Sequence, residues 1–256
     1  FSVIIVNDAS TESKPELTTN LDNLNSIKII NMRENRGHAR CNATGLKHIF
    51  ENEEFDYVIP MDGDGEDRPE EIKQLVDNLN YHPDKPIVGE RIKRSEGIFF
   101  KLCYFIHKLI TYTFTGQSIK FGNYSCLPKS IVERMINEKA TWSSFSGALA
   151  KVSKDRATIP SERGSRYFGP SKMSFKNLTI HSLAIISVFK FNVLLRSIMF
   201  LIVYMFLIHQ NISIIMLIPF PLIVLLVVLV FLTSKRESLG EMKESFSNIL
   251  NIDNIK

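Results

Sequence analysis

Apolar runs and amphipathic stretches alternate along the first half of the chain. Runs with strand character occupy residues 1–6, 27–31, 57–61 and 87–91, and stretches with helical spacing occupy 13–25, 37–50, 69–80 and 99–115. Periods of about two and about 3.6 residues are typical of strands and helices respectively. The alternation predicts an α/β domain with a largely parallel sheet, whose ligands bind at the carboxyl ends of the strands.

The pattern changes in the last quarter of the chain. Residues 212–233 contain no charged side chain, and as a helix they would extend roughly 33 Å, enough to cross a hydrocarbon core of about 30 Å. Residues 193–208 are apolar apart from Arg196 and Ser197. A buried helix pair in a soluble protein is the alternative, but such helices rarely need twenty uncharged residues. We therefore expect two transmembrane helices.

These patterns divide the chain into four segments. We expect an α/β domain at 1–175, an amphipathic juxtamembrane segment at 176–190, two transmembrane helices within 191–233 and a cytoplasmic tail at 234–256. Lys and Arg flank the two spans, whereas the connection at 209–211 contains neither. The positive-inside rule then predicts a multi-pass membrane protein with its α/β domain in the cytoplasm.

Charge and cysteine content refine the choice of partners. The 256 residues carry a net charge of +4, and 151–176 contain seven basic residues against two acidic ones. An excess of positive charge beside a membrane span favours membrane lipid or an anionic substrate. No helix-turn-helix, zinc or aromatic-basic motif accompanies these charges, so we do not expect nucleic acid as a partner. The three widely spaced cysteines indicate reduced thiols.

Clustered carboxylates follow the predicted strand at 57–61. Asp62, Asp64 and Glu66 alternate along the chain, so in extended backbone their side chains point the same way. Hard oxygen ligands of this kind suit Mg²⁺ or Mn²⁺, which in turn can bind a diphosphate. A solvated loop between strand and helix is the alternative. Asp8 and Arg91 also fall at predicted strand ends, so one cleft would hold all five side chains.

Six short segments in a fixed order resemble a known family. They are Val-Asn-Asp-Ala-Ser at 6–10, Asn-Arg-Gly at 35–37 with Gly-Leu at 45–46, Met-Asp-Gly-Asp at 61–64, Gly-Glu-Arg at 89–91, Phe-Gly-Asn-Tyr at 121–124 and Arg-Tyr-Phe-Gly-Pro-Ser-Lys at 166–172. Together they resemble family-two glycosyltransferases of the GT-A fold. The last segment is similar to the R-x-x-G-x-S-K element of dolichyl-phosphate mannose synthases and bacterial polyprenyl-phosphate glycosyltransferases.

The resemblance implies an inverting transfer of a sugar from a nucleotide-sugar to a polyprenyl phosphate, such as undecaprenyl phosphate, at the cytoplasmic face of the inner membrane. It implies that Asp8 contacts the nucleoside and that the carboxylates at 62, 64 and 66 hold the metal and the diphosphate. Arg91 and Arg94 would lie near phosphates, and Arg166, Ser171 and Lys172 would approach the phosphate of the acceptor or of the leaving diphosphate.

Each of these residues has a plainer interpretation. Asp8 is also suited to cap a helix, Arg94 to an exposed turn, and Arg166 and Lys172 to contact with anionic lipid. His38, together with the histidines at 107 and 181, has no partner recognisable in the sequence and is interpreted as structural.

Two departures from the family pattern bear on function. The family's opening strand, ending in P-x-Y-N-E, and its helix are absent before Phe1, so we expect the chain as given to be unstable or inactive. No Glu-Asp pair follows Asn123 to serve as a base, which a hydroxyl acceptor needs and a lipid phosphate does not. Transfer to the hydroxyl of a lipid-linked saccharide and an inactive homologue remain the alternatives, and a homo-oligomer is compatible with all three.

Overall fold

The computed structural model describes residues 1–11, 21–93, 98–167, 169 and 174–256. The helix expected at 13–25 falls largely on residues 12–20, which lie outside this set. Arg94, Ser171 and Lys172 also lie outside the described residues. All other candidate site residues are described.

Two sheets and nine helices make up the described part of the chain, which confirms the predicted α/β class. The first sheet contains β1 (Ser2–Asn7), β2 (Ser26–Met32) and β7 (Ile249–Asn254), in that order. The second contains, in spatial order, β3 (Tyr57–Val58), β5 (Phe121–Pro128), β4 (Ile87–Lys93) and β6 (Ala157–Glu162). The helices are α1 (His38–Asn52), α2 (Ile72–Leu79), α3 (Ile98–Thr115), α4 (Lys129–Ile136), α5 (Phe145–Val152), α6 (Phe175–Ser187), α7 (Lys190–Ile208), α8 (Pro219–Ser234) and α9 (Leu239–Lys243).

The strands pair in both directions, which corrects the expectation of a largely parallel sheet. β1 is parallel to β2 and β4 is parallel to β6, but β7 is antiparallel to β2, and β5 is antiparallel to both β3 and β4. The apolar pattern reveals which segments form strands but not the direction in which each joins its neighbour. Because β5 runs against β4, its first residues lie beside the carboxyl end of β4, where Glu90 pairs with Phe121.

Apolar side chains at the centre of the second sheet are buried on both faces. Ile87 and Val88 on β4, and Cys126 and Leu127 on β5, are at most 1% exposed. One face packs against α4 and α5 and the other against α2. Because side chains on both faces of these strands pack against helices, a shift in strand register would disrupt that packing. The packing therefore fixes the positions at which the loops leave the strand ends.

α7 and α8 form an antiparallel hairpin. Nζ of Lys190, at the start of α7, donates to Oγ of Ser234 at the end of α8 (3.1 Å), and the Tyr204 hydroxyl donates to the carbonyl of Met216 just before α8 (3.0 Å). By length and composition, α7 and the stretch Ile215–Lys243, which contains α8, could each cross a membrane, and most of the apolar side chains of α7 and α8 face outward. They agree with the two spans predicted from the sequence.

α3 presents a further apolar surface beside the hairpin. Its exposed apolar side chains follow helical spacing and line one face: Leu102, Phe105, Ile106, Leu109 and Tyr112. The end of α3 is tied to the first turns of α7, because Asn192 donates to the carbonyl of Thr115 (3.2 Å) and Arg196 to that of Thr113 (3.1 Å). α3 therefore accompanies the hairpin where it leaves the α/β domain.

The segment after α8 is not a separate tail, as the sequence division had it. The chain returns through α9 to the first sheet, where β7 covers the edge of β2 and Oδ2 of Asp253 accepts a hydrogen bond from Asn31 (3.0 Å). Ile27, Ile29 and Ile30 of β2 are at most 5% exposed. A strand buried on both faces needs a hydrogen-bonding partner on each edge, and β7 supplies the second one.

Candidate active site

Asp62 joins three parts of one cleft. Its Oδ1 lies 2.9 Å from Nε2 of His38, the first residue of α1, and accepts a hydrogen bond of 2.8 Å from Nδ2 of Asn123 on β5. The backbone N–H of Asp62 donates to Oδ2 of Asp67 (3.0 Å). Helix α1, strand β5 and the loop at 62–68 therefore meet at one carboxylate.

Burial and charge act in opposite directions on these groups. Burial opposes the ionisation of Asp62, but hydrogen bonds from His38 and Asn123 and the charges of His38 and Arg91 outweigh it and lower the pKa of Asp62. The hydrogen bond to Asp62 in turn raises the pKa of His38. Burial raises the pKa of Asp67 to about 6, and the negative charge of Asp62 contributes to that shift. Asp62 is therefore ionised at neutral pH, whereas Asp67 keeps its proton to a higher pH than an ordinary aspartate does.

Asp64 and Glu66 face the segment at 163–167. Nη2 of Arg166 lies 2.9 Å from Oδ2 of Asp64, and Nε of Arg166 donates to Oε1 of Glu66 (3.1 Å). Arg163 forms a second ion pair with Oε2 of Glu66. Carboxylates expected on the donor side and an arginine expected on the acceptor side are thus in direct contact.

Glycine residues allow these two loops to approach each other. The Gly164 N–H donates to the carbonyl of Glu66 (2.9 Å), and the Tyr167 N–H donates to the carbonyl of Asp64 (3.0 Å). Gly65 has a φ of +90°, and a Cβ atom built on Gly164 would lie only 2.3 Å from the carbonyl oxygen of Gly65. Glycine at both positions is therefore required for the contact between Arg166 and the carboxylates.

Asp8 shapes the loop that precedes α1. Its two carboxylate oxygens accept hydrogen bonds from the backbone N–H groups of Arg36 (3.0 Å) and Gly37 (2.9 Å). Both N–H groups precede His38, the first residue of α1, so Asp8 holds the loop that leads into the helix and does not cap the helix itself. Since His38 follows Gly37, Asp8 also helps to set the position of the imidazole beside Asp62.

Arg91 lies in the same cleft, at the carboxyl end of β4. A Cβ atom on Gly122 would stand 3.0 Å from its Nη2, so the guanidinium lies over the glycine that precedes Asn123. Its positive charge helps to lower the pKa of Asp62. The structure therefore places Arg91 close enough to Asp62 for their charges to interact, whereas the prediction of one cleft for Asp8, Arg91 and the three carboxylates did not include Arg166.

Three side chains of the cleft were not among the candidates from the sequence: His38, Asp67 and Arg163. His38 was interpreted as structural, yet it touches Asp62. Its position directly after the Asn-Arg-Gly segment is the signal that would have identified it. Arg163 and Asp67 carry no local sequence signal, because only the close approach of the two loops makes them neighbours of the carboxylates.

The three carboxylates predicted to bind Mg²⁺ or Mn²⁺ offer the hard oxygen atoms that such ions prefer. Asp62 is paired with His38, and Asp64 and Glu66 are paired with the two arginines. Among the described residues, no group of three or more His, Cys, Asp or Glu side chains is arranged as a metal site. The carboxylate oxygens of Asp62, Asp64 and Glu66 are therefore of the kind that binds a hard cation. In this structure Arg163 and Arg166 neutralise the negative charge of Asp64 and Glu66 that such a cation would otherwise neutralise.

The cleft borders the elements that reach the membrane hairpin. His181 of α6 is close enough for its charge to interact with those of His38, Arg91 and the α3 residue His107. α6 in turn packs against both spans, where Ile186, Val193 and Val230 are at most 3% exposed. The His38–Asp62 pair therefore lies near α6, the helix that packs against the hairpin.

Residues 1–132 match the model of the family described as glycosyl transferase family 2. Undecaprenyl-phosphate 4-deoxy-4-formamido-L-arabinose transferases of Salmonella paratyphi B, Salmonella newport and Salmonella heidelberg are each 30% identical to the chain over 188 residues. That similarity covers 70% of the chain and 54% of each relative, so the chain spans about half the length of the curated relatives it matches. The family match covers just over half of the 256 residues and includes the strands that lead to Asp8, Asp62 and Arg91. The chain belongs to glycosyl transferase family 2.

Proposed function

We propose that this chain is a membrane-anchored inverting glycosyltransferase that moves a sugar from a nucleotide-sugar to polyprenyl phosphate. The relatives named above are undecaprenyl-phosphate sugar transferases, and the two apolar helices suit a membrane-bound acceptor. By the positive-inside rule, the catalytic domain faces the cytoplasm. The names of the relatives point to undecaprenyl phosphate, in the inner membrane, as the acceptor.

One observation carries the proposal: Arg166 contacts both Asp64 and Glu66. The metal ion proposed to accompany the donor diphosphate needs oxygen ligands, and an acceptor phosphate needs cationic side chains near the bilayer surface. The two requirements meet within one network of ion pairs. Ser171 and Lys172, outside the described residues, are proposed to complete the acceptor side, and Arg91 and Arg94 the donor side.

The ion pairs suggest an order of binding. If Asp64 and Glu66 held the cation that accompanies the donor, Arg166 would lose both carboxylate partners and could contact a second phosphate group. A phosphate is the ligand whose geometry the guanidinium fork matches best. The donor therefore binds first, and its binding prepares the site for the acceptor.

The chemical step needs no general base among the side chains. An oxygen of the acceptor phosphate forms a bond to the anomeric carbon while the bond from that carbon to the nucleoside diphosphate breaks, which inverts the configuration. The acceptor oxygen is already anionic at neutral pH, so no proton has to be removed. Arg163 and Arg166 orient the attacking phosphate, and His38 and Asn123 hold Asp62 in its ionised form.

We propose that Asp62, Asp64 and Glu66 hold Mg²⁺ or Mn²⁺ when the donor binds. The ion would neutralise the charge that develops on the leaving nucleoside diphosphate. Removing the ion with EDTA should then weaken donor binding as well as transfer, and the binding measurement is independent of activity.

The test of the proposal is incubation of undecaprenyl phosphate and a panel of labelled nucleotide-sugars with the detergent-purified chain, to which the strand and helix expected before Phe1 have been added. We expect label from one sugar nucleotide in the organic extract, and no label with Asp64→Asn. Asp77→Asn is a matched control, because Asp77 is an exposed residue of α2 paired only with Lys73 in the same helix. Label that stays in the aqueous phase for every nucleotide-sugar would refute a polyprenyl-phosphate acceptor.

A further inference from the structure

A second cleft lies on the opposite face of β4 from Arg91. Successive strand residues point to opposite faces, and Val88 and Glu90 line this cleft together with Lys120, Phe121, Lys154, Arg156 and Thr158. Its volume is about 140 Å³. One water molecule takes about 30 Å³ of liquid, so the cleft accommodates a phosphate-sized group with accompanying water.

Positive charge predominates in this cleft. Lys120, Lys154 and Arg156 line it against the single carboxylate of Glu90, and Nζ of Lys120 donates to that carboxylate (2.7 Å). The hydroxyls of Ser118 and Thr158 lie in the same wall. Lys154, Arg156 and the two hydroxyl groups lie outside the Lys120–Glu90 ion pair. This combination of cationic and hydroxyl groups suits a phosphate oxyanion.

The guanidinium of Arg156 is held at a fixed point of the wall. Its Nη1 donates to the carbonyls of Ala150 (3.5 Å) and Ser153, and its Cζ lies 5.3 Å from the centre of the Phe121 ring. A guanidinium has five N–H donors, so these contacts leave donors for a ligand. Burial lowers the pKa of Arg156, although the negative charge of the neighbouring Asp155 acts in the opposite direction, so a bound anion would further stabilise the charged guanidinium.

The cleft is next to the point where the chain enters the membrane hairpin. Phe121 packs in the same core cluster as Val188 and Phe189, which directly precede α7. The loop from Gly116 to Lys120 follows α3, and Gly116 packs against the guanidinium of Arg196 in α7. The cations of the cleft therefore lie close to the level at which lipid headgroups would surround α7.

We propose that this cleft binds the phosphate group of an anionic phospholipid or of a soluble phosphate compound. It is separate from the sugar-transfer site, because it lies on the other face of β4, and its test does not depend on transfer activity. The lipid source would fix the height and tilt of the catalytic domain on the bilayer.

The binding of three probes to the detergent-purified chain, measured by native mass spectrometry and calorimetry, tests the proposal. The probes are inorganic phosphate, a short-chain phosphatidylglycerol and a short-chain phosphatidylcholine. Lys154→Glu and Thr158→Asp each introduce negative charge at an exposed position of the cleft, and we expect each to weaken binding at least tenfold. Lys176→Glu makes the same charge change at an exposed residue of α6 outside the cleft and should bind within twofold of wild type.

Each outcome bears on the proposal. Preference for phosphatidylglycerol over phosphatidylcholine supports a lipid headgroup, whereas binding of inorganic phosphate alone supports a soluble phosphate compound. Equal binding of the two lipids without inorganic phosphate, or no binding of any probe, would overturn it. Equal losses in Lys154→Glu and Lys176→Glu would also overturn it, because they would indicate general charge attraction. Unchanged melting temperatures exclude misfolding as the cause of any loss.

Discussion

One added methyl group tests the contact between the donor and acceptor loops. A Cβ atom on Gly164 would stand 2.3 Å from the Gly65 carbonyl oxygen, and one on Gly65 would stand 2.9 Å from the Ser165 carbonyl oxygen. Both obstacles are backbone atoms, which cannot rotate away as a flexible side chain can. Gly164→Ala must therefore separate the loops by about 1 Å to reach an ordinary contact distance.

The expected loss of transfer rate follows from how far this separation moves Arg166 from the carboxylates. Arg166 lies 2.9 Å from Asp64 and 3.1 Å from Glu66, so a shift of about 1 Å removes both contacts. Misplacement of about 1 Å costs on the order of 100-fold in rate. Gly65→Ala carries a further penalty of about 1–2 kcal/mol, because its φ of +90° is unfavourable for L-residues. We expect a loss of about 100-fold in transfer rate for each variant.

The neighbouring Gly63 provides the control. A Cβ atom there would meet nothing within 4 Å, and Gly63 does not have a positive φ. Gly63→Ala should therefore retain the transfer rate within about twofold, as surface substitutions usually do. The assay is the initial rate of glycolipid formation, with thermal unfolding as the check on folding. A wild-type rate in folded Gly164→Ala would refute the claim that this loop contact matters for catalysis.

Three further predictions concern the metal, the buried carboxyl and the topology. Asp64→Asn should abolish transfer without lowering the melting temperature, and transfer that survives both this change and EDTA would reject the metal proposal. Asp67 is 6% exposed, and its pKa is raised from 3.8 to about 6, so it binds a proton more readily in the folded state. Its contribution to the free energy of unfolding therefore falls as pH rises between these two values, by about 3 kcal/mol at most. Asp67→Asn should flatten this pH dependence, measured by chemical unfolding at pH 4 and pH 7. A cysteine at Asn211 should react with an impermeant thiol reagent from outside the cell, whereas one at the exposed Ser247 should react only after the membrane is opened.

Local signals in the sequence located most of the elements. The predicted helix at 37–50 corresponds to α1 at His38–Asn52, and the predicted strand at 87–91 begins where β4 begins, at Ile87. Apolar spacing within a helix or strand is set by its own geometry, which explains this agreement. The predicted strand at 57–61 forms ladder pairs only at Tyr57 and Val58, opposite Pro128 and Leu127 of β5. Pro60 has no backbone N–H to donate, so it interrupts the ladder that the apolar pattern predicted.

Contacts between distant parts of the chain could not be predicted from these local signals. β7 pairs with β2 across more than two hundred residues of sequence, and its polar composition resembles that of an exposed tail. Arg163 meets Glu66 only because two glycines let the loops touch. The strand-end rule nevertheless brought Asp62, Asp64 and Arg91 into one cleft, because that rule concerns the edge of a sheet and not individual pairings.

The chemical identity of the product tests the central claim most directly. Mass spectrometry of the lipid made by the full chain from its accepted nucleotide-sugar should give the mass of polyprenyl phosphate plus one sugar residue. Mild acid should release that sugar as a free monosaccharide, since the new bond joins the anomeric carbon to a phosphate oxygen. A product in which the sugar is attached to an existing lipid-linked saccharide would contradict the account, because that acceptor requires a base that the proposed mechanism omits.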